Sequence, residues 1–232
     1  ALLGLQTQRT TLPDEMVFIM YHQVNELLFK MILLEIKQVA KSDSLDVEVF
    51  TKHLMRISRY FDMLSSSFDI MGDGMDKDQY MKFRNTLAPA SGFQSAQYRM
   101  IEFASTELIN LIDVRFRSTI DRDTPFEHAY EHLYWQAAGK NYNTGQKSIL
   151  LDKFEKKYMG DFIDFMKDYN RTNLSMKFKS LPDALRNNID LVNTMRHYDY
   201  TVNVKWVMSH YKAAAKYIGG GAATGGSDWT KY

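Results

Sequence analysis

Along most of this chain the apolar positions recur every three to four residues, the period of an α-helix. The first stretch runs from Thr11 to about Lys41. Its apolar residues, Met16, Phe18, Ile19, Met20, Val24, Leu27, Leu28, Phe29, Ile32, Leu33 and Ile36, lie nearly all round the helix. A helix apolar on every side belongs at the centre of a fold or in an interface. Thr11 is the expected N-cap, Pro13 suits the first turn, and Asp14 and Glu15 suit the positive end of the dipole. A second helix is predicted from about Leu45 to Met71, with Val49, Phe50, Leu54, Ile57, Tyr60, Phe61 and Leu64 at helical spacing. Gly72-Asp-Gly74 ends it. Tyr80, Arg84 and Leu87 share one face of the next helical stretch, which Ala88-Pro-Ala-Ser-Gly92 breaks before a new helix opens at Phe93.

Thr124-Pro-Phe-Glu127 spells a capping box with Pro125 at the first helical position, and predicts a helix through Ala138. A polar-faced helix covers Ser148 to Tyr169. The last helical run, from Pro182 to Ile218, is unusually long. Its segment Tyr198-Asp-Tyr-Thr-Val-Asn-Val204 is rich in β-branched residues, so a bend is expected there. The chain offers no convincing strand pair, hairpin turn or internal repeat. The expected fold is all-α, a single helical domain over residues 1–232.

Composition narrows the functions. Lys+Arg 29 against Asp+Glu 28 leaves a net charge of +1, so no bulk field recruits nucleic acid or an anionic membrane. The absence of cysteine removes disulfides, thiolate catalysis, iron–sulfur clusters and zinc ribbons together. Fourteen Met, 14 Phe and 14 Tyr against 4 Pro suit long helices around a soft aromatic interior. No run of 18 apolar residues and no secretory signal stand out, so neither a membrane nor, with the balanced charge, a nucleic-acid partner is expected, and the lack of cysteine is compatible with a reducing, cytoplasmic location.

Four constellations carry candidate chemistry. His210 follows Trp206 by one turn and precedes Ala213 and Ala214, which are too small to fill a core and leave room for something flat. Haem iron is often held by one such histidine. Behind it runs Gly219-Gly-Gly-Ala-Ala-Thr224-Gly-Gly-Ser227, where backbone can approach a ligand closely. His22 stands amid Phe18, Ile19, Met20 and Leu27; desolvation there favours neutral imidazole, which can accept a hydrogen bond from a ligand N–H. Arg84, beside Tyr80 and Phe83, either snorkels to solvent or grips a carboxylate with its planar fork. His128-Ala-Tyr-Glu131-His132 spells H-x-x-E-H, an inverted zincin pattern. Its plainer reading is two surface histidines on a solvated face.

Three blocks together resemble the tryptophan 2,3-dioxygenase family. They are Asp14-Glu-Met-Val-Phe18-Ile-Met-Tyr-His22-Gln-Val-Asn-Glu26-Leu, then Phe83-Arg84-Asn-Thr-Leu87-Ala-Pro-Ala-Ser91-Gly92-Phe-Gln-Ser-Ala-Gln-Tyr-Arg99, and last His210 followed by Ile218-Gly219 and Thr224-Gly-Gly-Ser227. Their order and spacing agree over nearly the whole chain. The resemblance implies a helical, homotetrameric haem b enzyme, active in the Fe2+ form, that opens the indole ring of L-tryptophan with O2 to give N-formylkynurenine. His210 would be the proximal iron ligand, and His22 would accept the indole N–H hydrogen bond. Arg84 would bind the substrate carboxylate, helped by Tyr80. Phe18 and Leu87 would pack the indole, the Ser91-Gly92 backbone would border the oxygen site, and Thr224 would clamp the amino-acid end.

The chain departs from the family at Val207, Met208 and Ser209, where arginines are usual, and at Asn25 and Leu28, which replace aromatic residues. The glycine-rich loop differs too, reading Ala223-Thr-Gly-Gly-Ser-Asp-Trp229. A Tyr-x-x-Tyr-Leu segment that usually precedes the family's L-L-x-x-Q, here Leu2-Leu-Gly-Leu-Gln6, is not in the sequence. These differences leave a second reading open: a sibling haem enzyme that inserts one oxygen into an indole derivative.

Overall fold

The computed structural model describes residues 6–44, 46–87, 95–141 and 144–218. The described residues are helical, with two isolated antiparallel bridges, Ile112 to Leu133 and Lys140 to Lys147. In chain order the helices are α1 (Pro13–Ala40), α2 (Val47–Gly72), α3 (Lys77–Leu87), α4 (Ala96–Ser105), α5 (Leu108–Leu111) and α6 (Phe126–Tyr130). They continue with α7 (Ile149–Tyr169), α8 (Leu174–Ser180), α9 (Asp183–Arg186), α10 (Ile189–Tyr200) and α11 (Trp206–Ile218). The all-α expectation holds. Ser91, Gly92, Thr224 and the glycine-rich run from Gly219 lie outside the described residues.

α1 starts one residue later than Thr11 would have it, and it is capped differently. Leu12 is the N-cap and has no capping side chain. Instead the buried Glu15 carboxylate reaches back and accepts from the Thr10 N–H at 2.7 Å, the Thr10 hydroxyl at 2.6 Å and the Arg9 N–H at 2.8 Å. A carboxylate that satisfies donors at the positive end of a helix replaces a cap with a full charge. These hydrogen bonds outweigh the cost of burial and hold the Glu15 carboxyl below its usual range. α2 begins conventionally, with Asp46 accepting from the Glu48 and Val49 N–H groups.

α2 is the spine. Leu54, Ile57, Phe61, Leu64, Phe68 and Met71, at alternating spacings of three and four, form its buried stripe. Against it pack Leu28, Phe29, Ile32 and Ile36 of α1, Tyr98 and Ile101 of α4, and Leu191 and Tyr198 of α10. Each such side chain, fully buried, contributes roughly 1.5–3 kcal/mol of transfer free energy. A second core lies under α6 and α7, where Tyr130, Leu133, Trp135, Leu151, Phe154 and Phe162 meet.

α1 is long and apolar enough, by length and composition, to cross a membrane, with a mean hydropathy of 1.3 over its best window. No run of 18 wholly apolar residues exists, yet the average passes. Its packing identifies it as a core helix. It lies against α2 and α4, and its buried Glu35 is paired with Arg56 at 2.8 Å and hydrogen-bonded to His53 Nδ1 at 2.6 Å. The face turned away from the core is apolar as well: Met20, Val24, Leu27, Met31 and Leu34 are all exposed, Leu27 at 60%.

Two expectations near the middle and end of the chain need correction or refinement. The capping box does not form. Thr124 turns its hydroxyl back to Asp121, and α6 is five residues long before the chain continues as a 3-10 segment over Tyr134–Gly139. The helix stops because Leu133 is extended and bridges Ile112, with the Asp113 N–H donating to the His132 carbonyl at 2.9 Å. The bend expected near Tyr198–Val204 is present as a π-turn over Thr201–Lys205, where the Thr201 hydroxyl bonds the His197 carbonyl at 2.7 Å. A π-turn inserts an extra residue into the helix and rotates the downstream turns by about 100°. That rotation separates the face of α10 from the face of α11 that bears Trp206 and His210.

Candidate active site

α1, α2, α3 and α11 converge on one aromatic cluster. Its core is Tyr21, Phe68, Met71, Met75, Phe83 and Tyr217, with Phe18, Tyr80, Trp206 and Ala213 packed around it. Phe68 continues the apolar series of α2 by one step beyond Leu64, and Tyr217 lies two helical turns after His210. Sequence reasoning passed over both, although the periodicity that found their neighbours also marks them.

His22 stands on the α1 side. Its Nδ1 lies 2.8 Å from the Phe18 carbonyl oxygen. A carbonyl only accepts, so Nδ1 carries the proton, and in the neutral ring Nε2 is left as an acceptor. The Phe18 ring lies 4.1 Å from the imidazole, centroid to centroid. Water reaches the ring, but the protein around it lowers the His22 pKa. Burial is the main cause, opposed by the Phe18 carbonyl and the Glu26 carboxylate.

His210 stands on α11. Its ring is stacked on Trp206, 6.1 Å between centroids and 13° between planes, and tilted against Phe68 at 5.4 Å. Burial is the first cause and the proximity of His22 the second in bringing its pKa down to about 4. The two histidines are therefore close enough to sense each other's charge. Near neutral pH both rings are therefore neutral.

Tyr80 and Arg84 enter from α3. The Tyr80 ring lies 6.2 Å from Phe18, 5.5 Å from Phe83 and 4.8 Å from Tyr217. Burial raises the Tyr80 pKa, and the positive charge of Arg84 opposes the rise. Arg84 is half-buried in the last turn of α3, and Leu87 ends that helix. The structure thus brings together Phe18, His22, Tyr80, Arg84 and His210. An open cleft of about 1420 Å³ lies elsewhere, between the α5–α6 region and α10, and none of these five residues lines it.

The start of α4 holds the cluster's frame. Ser95 N-caps α4 by accepting from the Tyr98 N–H, and its hydroxyl donates to Glu26 at 2.6 Å. The Gln97 amide donates to the same carboxylate at 2.6 Å and to the Glu26 carbonyl at 2.8 Å. This clasp sits one turn past His22 on α1. Tyr98 then stacks on Trp206 at 4.7 Å, which links α4 to the helix that carries His210.

These features define a class: a helical protein with two neutral histidines in an aromatic cluster and a cation at its edge. The sequence profile of the tryptophan 2,3-dioxygenase family matches residues 2–138. The chain belongs to that family, and with it to the oxidoreductases. A tryptophan 2,3-dioxygenase of Ruegeria sp. (strain TM1040) is 26% identical over 249 residues, covering 100% of this chain and 82% of the relative. One from Bacillus anthracis is 27% identical over 254 residues with the same coverage. One from Bradyrhizobium diazoefficiens reaches 38% over 104 residues, 44% of this chain and 37% of the relative.

The family implies a haem-type cofactor, and the residues present fit one. His210 offers a neutral imidazole in an apolar wall, the state in which it ligates iron. Ala213 faces Gly72 of α2, where a Cβ would lie 3.9 Å from it, so the room expected beside this alanine is taken up by the packing of α2 on α11. The indole Nε1 of Trp206 is buried and has no hydrogen-bond partner among the described residues, as a group beside a polar ligand edge would.

Proposed function

We propose that this chain opens the indole ring of L-tryptophan with O2, inserting both oxygen atoms across the C2–C3 bond to give N-formylkynurenine. The observation that carries the reading is the His22–His210 pair, brought together in the aromatic cluster with Arg84 beside it. His210 is the residue that would hold a haem b, which when bound supplies the iron for oxygen activation. His22 presents Nε2 as acceptor for the indole N–H and keeps the proton on Nδ1, fixed by the Phe18 carbonyl. Phe18 provides an apolar wall for the ring, a role that the family resemblance gives to Leu87 as well, whose side chain lies outside the described part. Arg84 holds the substrate carboxylate with its planar fork, and the Tyr80 hydroxyl supports that grip. The family resemblance assigns the Ser91-Gly92 backbone to the oxygen side and Thr224 to the amino-acid end of the substrate, and all three lie outside the described residues. Fixing both ends of the substrate sets the ring at near-attack distance.

The test separates this reading from single-oxygen insertion into an indole derivative. Reduced, haem-loaded protein is given L-tryptophan and labelled O2, and the product is weighed. Two labelled atoms support the dioxygenase; one supports the sibling. Arg84→Lys sharpens the result. Truncation to Arg84→Ala strands a desolvated carboxylate, at a cost of about 2–5 kcal/mol, or roughly 30- to several-thousand-fold in kcat/KM for L-tryptophan, and the point charge of lysine should rescue it poorly. 3-Methylindole, which lacks the carboxylate, should be nearly indifferent. Equal effects on both substrates would make Arg84 structural.

We also read the outward stripe of α1 as a contact face with a second copy of the chain, within the homotetramer. Met20, Val24, Leu27, Met31 and Leu34 repeat at spacings of four and three, the seam spacing of paired helices. Leu27→Glu places a charge in that seam and should halve the particle mass or more in light scattering. An unchanged mass would remove α1 from the interface.

A further inference from the structure

The candidate site leaves one chemistry-bearing cluster unused. His128, Glu131 and His132 each offer a ligand atom, and these atoms lie within 4.8 Å of one another. The local fold arranges this. Ala129, Tyr130 and Leu133 are buried in the second core, so the residues between and beside them emerge together on the opposite side. Their turn is hydrogen-bonded throughout: Glu131 N–H to the His128 carbonyl at 3.2 Å, His132 N–H to Ala129 at 3.1 Å and Leu133 N–H to Tyr130 at 3.3 Å. The two imidazole centroids are 5.0 Å apart at 81°, an arrangement that lets both rings turn a nitrogen towards one point.

The surroundings hold this geometry from behind. The His132 carbonyl accepts the Asp113 N–H at 2.9 Å, and the Phe116 ring packs 4.3 Å from the His132 ring. Lys140 ties down the Glu131 carbonyl at 2.8 Å and the Gln136 side chain at 2.9 Å. Glu131 and His132 also line the open cleft near α10, so a bound ion would keep a side accessible to water or a small ligand.

We propose that His128, Glu131 and His132 bind a divalent transition-metal ion of the Zn2+ type, through two imidazoles and one carboxylate with a fourth position open. Two nitrogens and one carboxylate oxygen suit a borderline acid such as Zn2+ and do not suit Ca2+ or Mg2+, which demand an oxygen shell. The ligands come from one turn, so no rearrangement of distant elements is needed. Glu131 acts here as a ligand, not as the free base of a zincin.

The test uses the full, tag-free, haem-loaded chain, titrated with Zn2+ against a chromogenic competitor and with Co2+ for its d–d bands. One equivalent should bind, with bands of a low-coordinate nitrogen–oxygen site. Loss of an outer-sphere partner typically weakens a metal about 10- to 100-fold, so losing a ligand should cost at least about tenfold. His128→Ala, at an exposed position, should show that loss without unfolding, and Glu131→Gln should weaken binding while leaving the helical signal intact. No binding up to about 100-fold excess of metal overturns the proposal. So does an affinity that His128→Ala and Glu131→Gln leave unchanged, since the metal would then sit on other residues.

Discussion

The molecule contains two pairs of histidines, and their difference shows what a pair needs in order to do chemistry. His128 and His132 sit four residues apart on one turn, close to solvent, and their closeness follows from helical geometry alone. His22 and His210 lie near opposite ends of the described chain and meet because α1 and α11 both pack near α2 and α3. The first pair is partly hydrated and carries a carboxylate between its rings. The second is surrounded by Phe18, Phe68 and Trp206 and is held neutral by desolvation. A local pair suits an exchangeable cation. A tertiary pair, set against packed aromatic rings, has its charge state fixed by its neighbours even where water reaches one ring.

Three experiments put that contrast at risk. The largest effect is expected from His210→Ala, which should abolish stable haem binding, because the other described residues on that wall, Phe68, Trp206 and Ala213, offer iron no ligand. The absorbance of reconstituted protein measures it directly. A variant that keeps a normal five-coordinate ferrous spectrum without added imidazole refutes the assignment.

The second effect is a pH dependence of the haem-free chain. Unfolded, the His210 imidazole titrates near 6.5; folded, near 4. Between those values the unfolded chain binds the extra proton, so stability rises with pH there and is lost as pH falls from 6.5 through 4. The shift is worth no more than about 3 kcal/mol, less where solvent reaches the ring edge. Urea titrations at pH 7 and pH 5 should show the loss in the wild type and a smaller one in His210→Phe. Equal losses would place the titrating group elsewhere.

The smallest effect belongs to His22→Ala. Its proposed role is one hydrogen bond to the indole N–H, typically about 0.5–1.5 kcal/mol, or roughly 2- to 13-fold in turnover. 1-Methyltryptophan, which lacks that N–H, should suffer less than tryptophan. Complete loss of activity with normal substrate binding would show that His22 acts as an obligatory base.

The helices were legible from the chain alone, because a 3.6-residue apolar period needs no partner to be read. α2, α4 and α7 lie close to where their spacing put them, and the β-branched run before Trp206 marked the π-turn. The family blocks likewise picked out Phe18, His22, Tyr80, Arg84 and His210 before any contact was known. Short-range signals were weaker. Thr124 had the right spacing for a cap and lost to its hydrogen bond with Asp121, while the bridge between Leu133 and Ile112, far away in sequence, ended the helix early. The protonation of the site came from tertiary packing. Desolvation depends on what lies around a ring from every direction, and His210 is held neutral only where α2 and α11 close Phe68 and Trp206 around it. The clasp of Ser95 and Gln97 on Glu26 is of the same kind, since a hydrogen bond between α4 and α1 has no period along the chain to announce it.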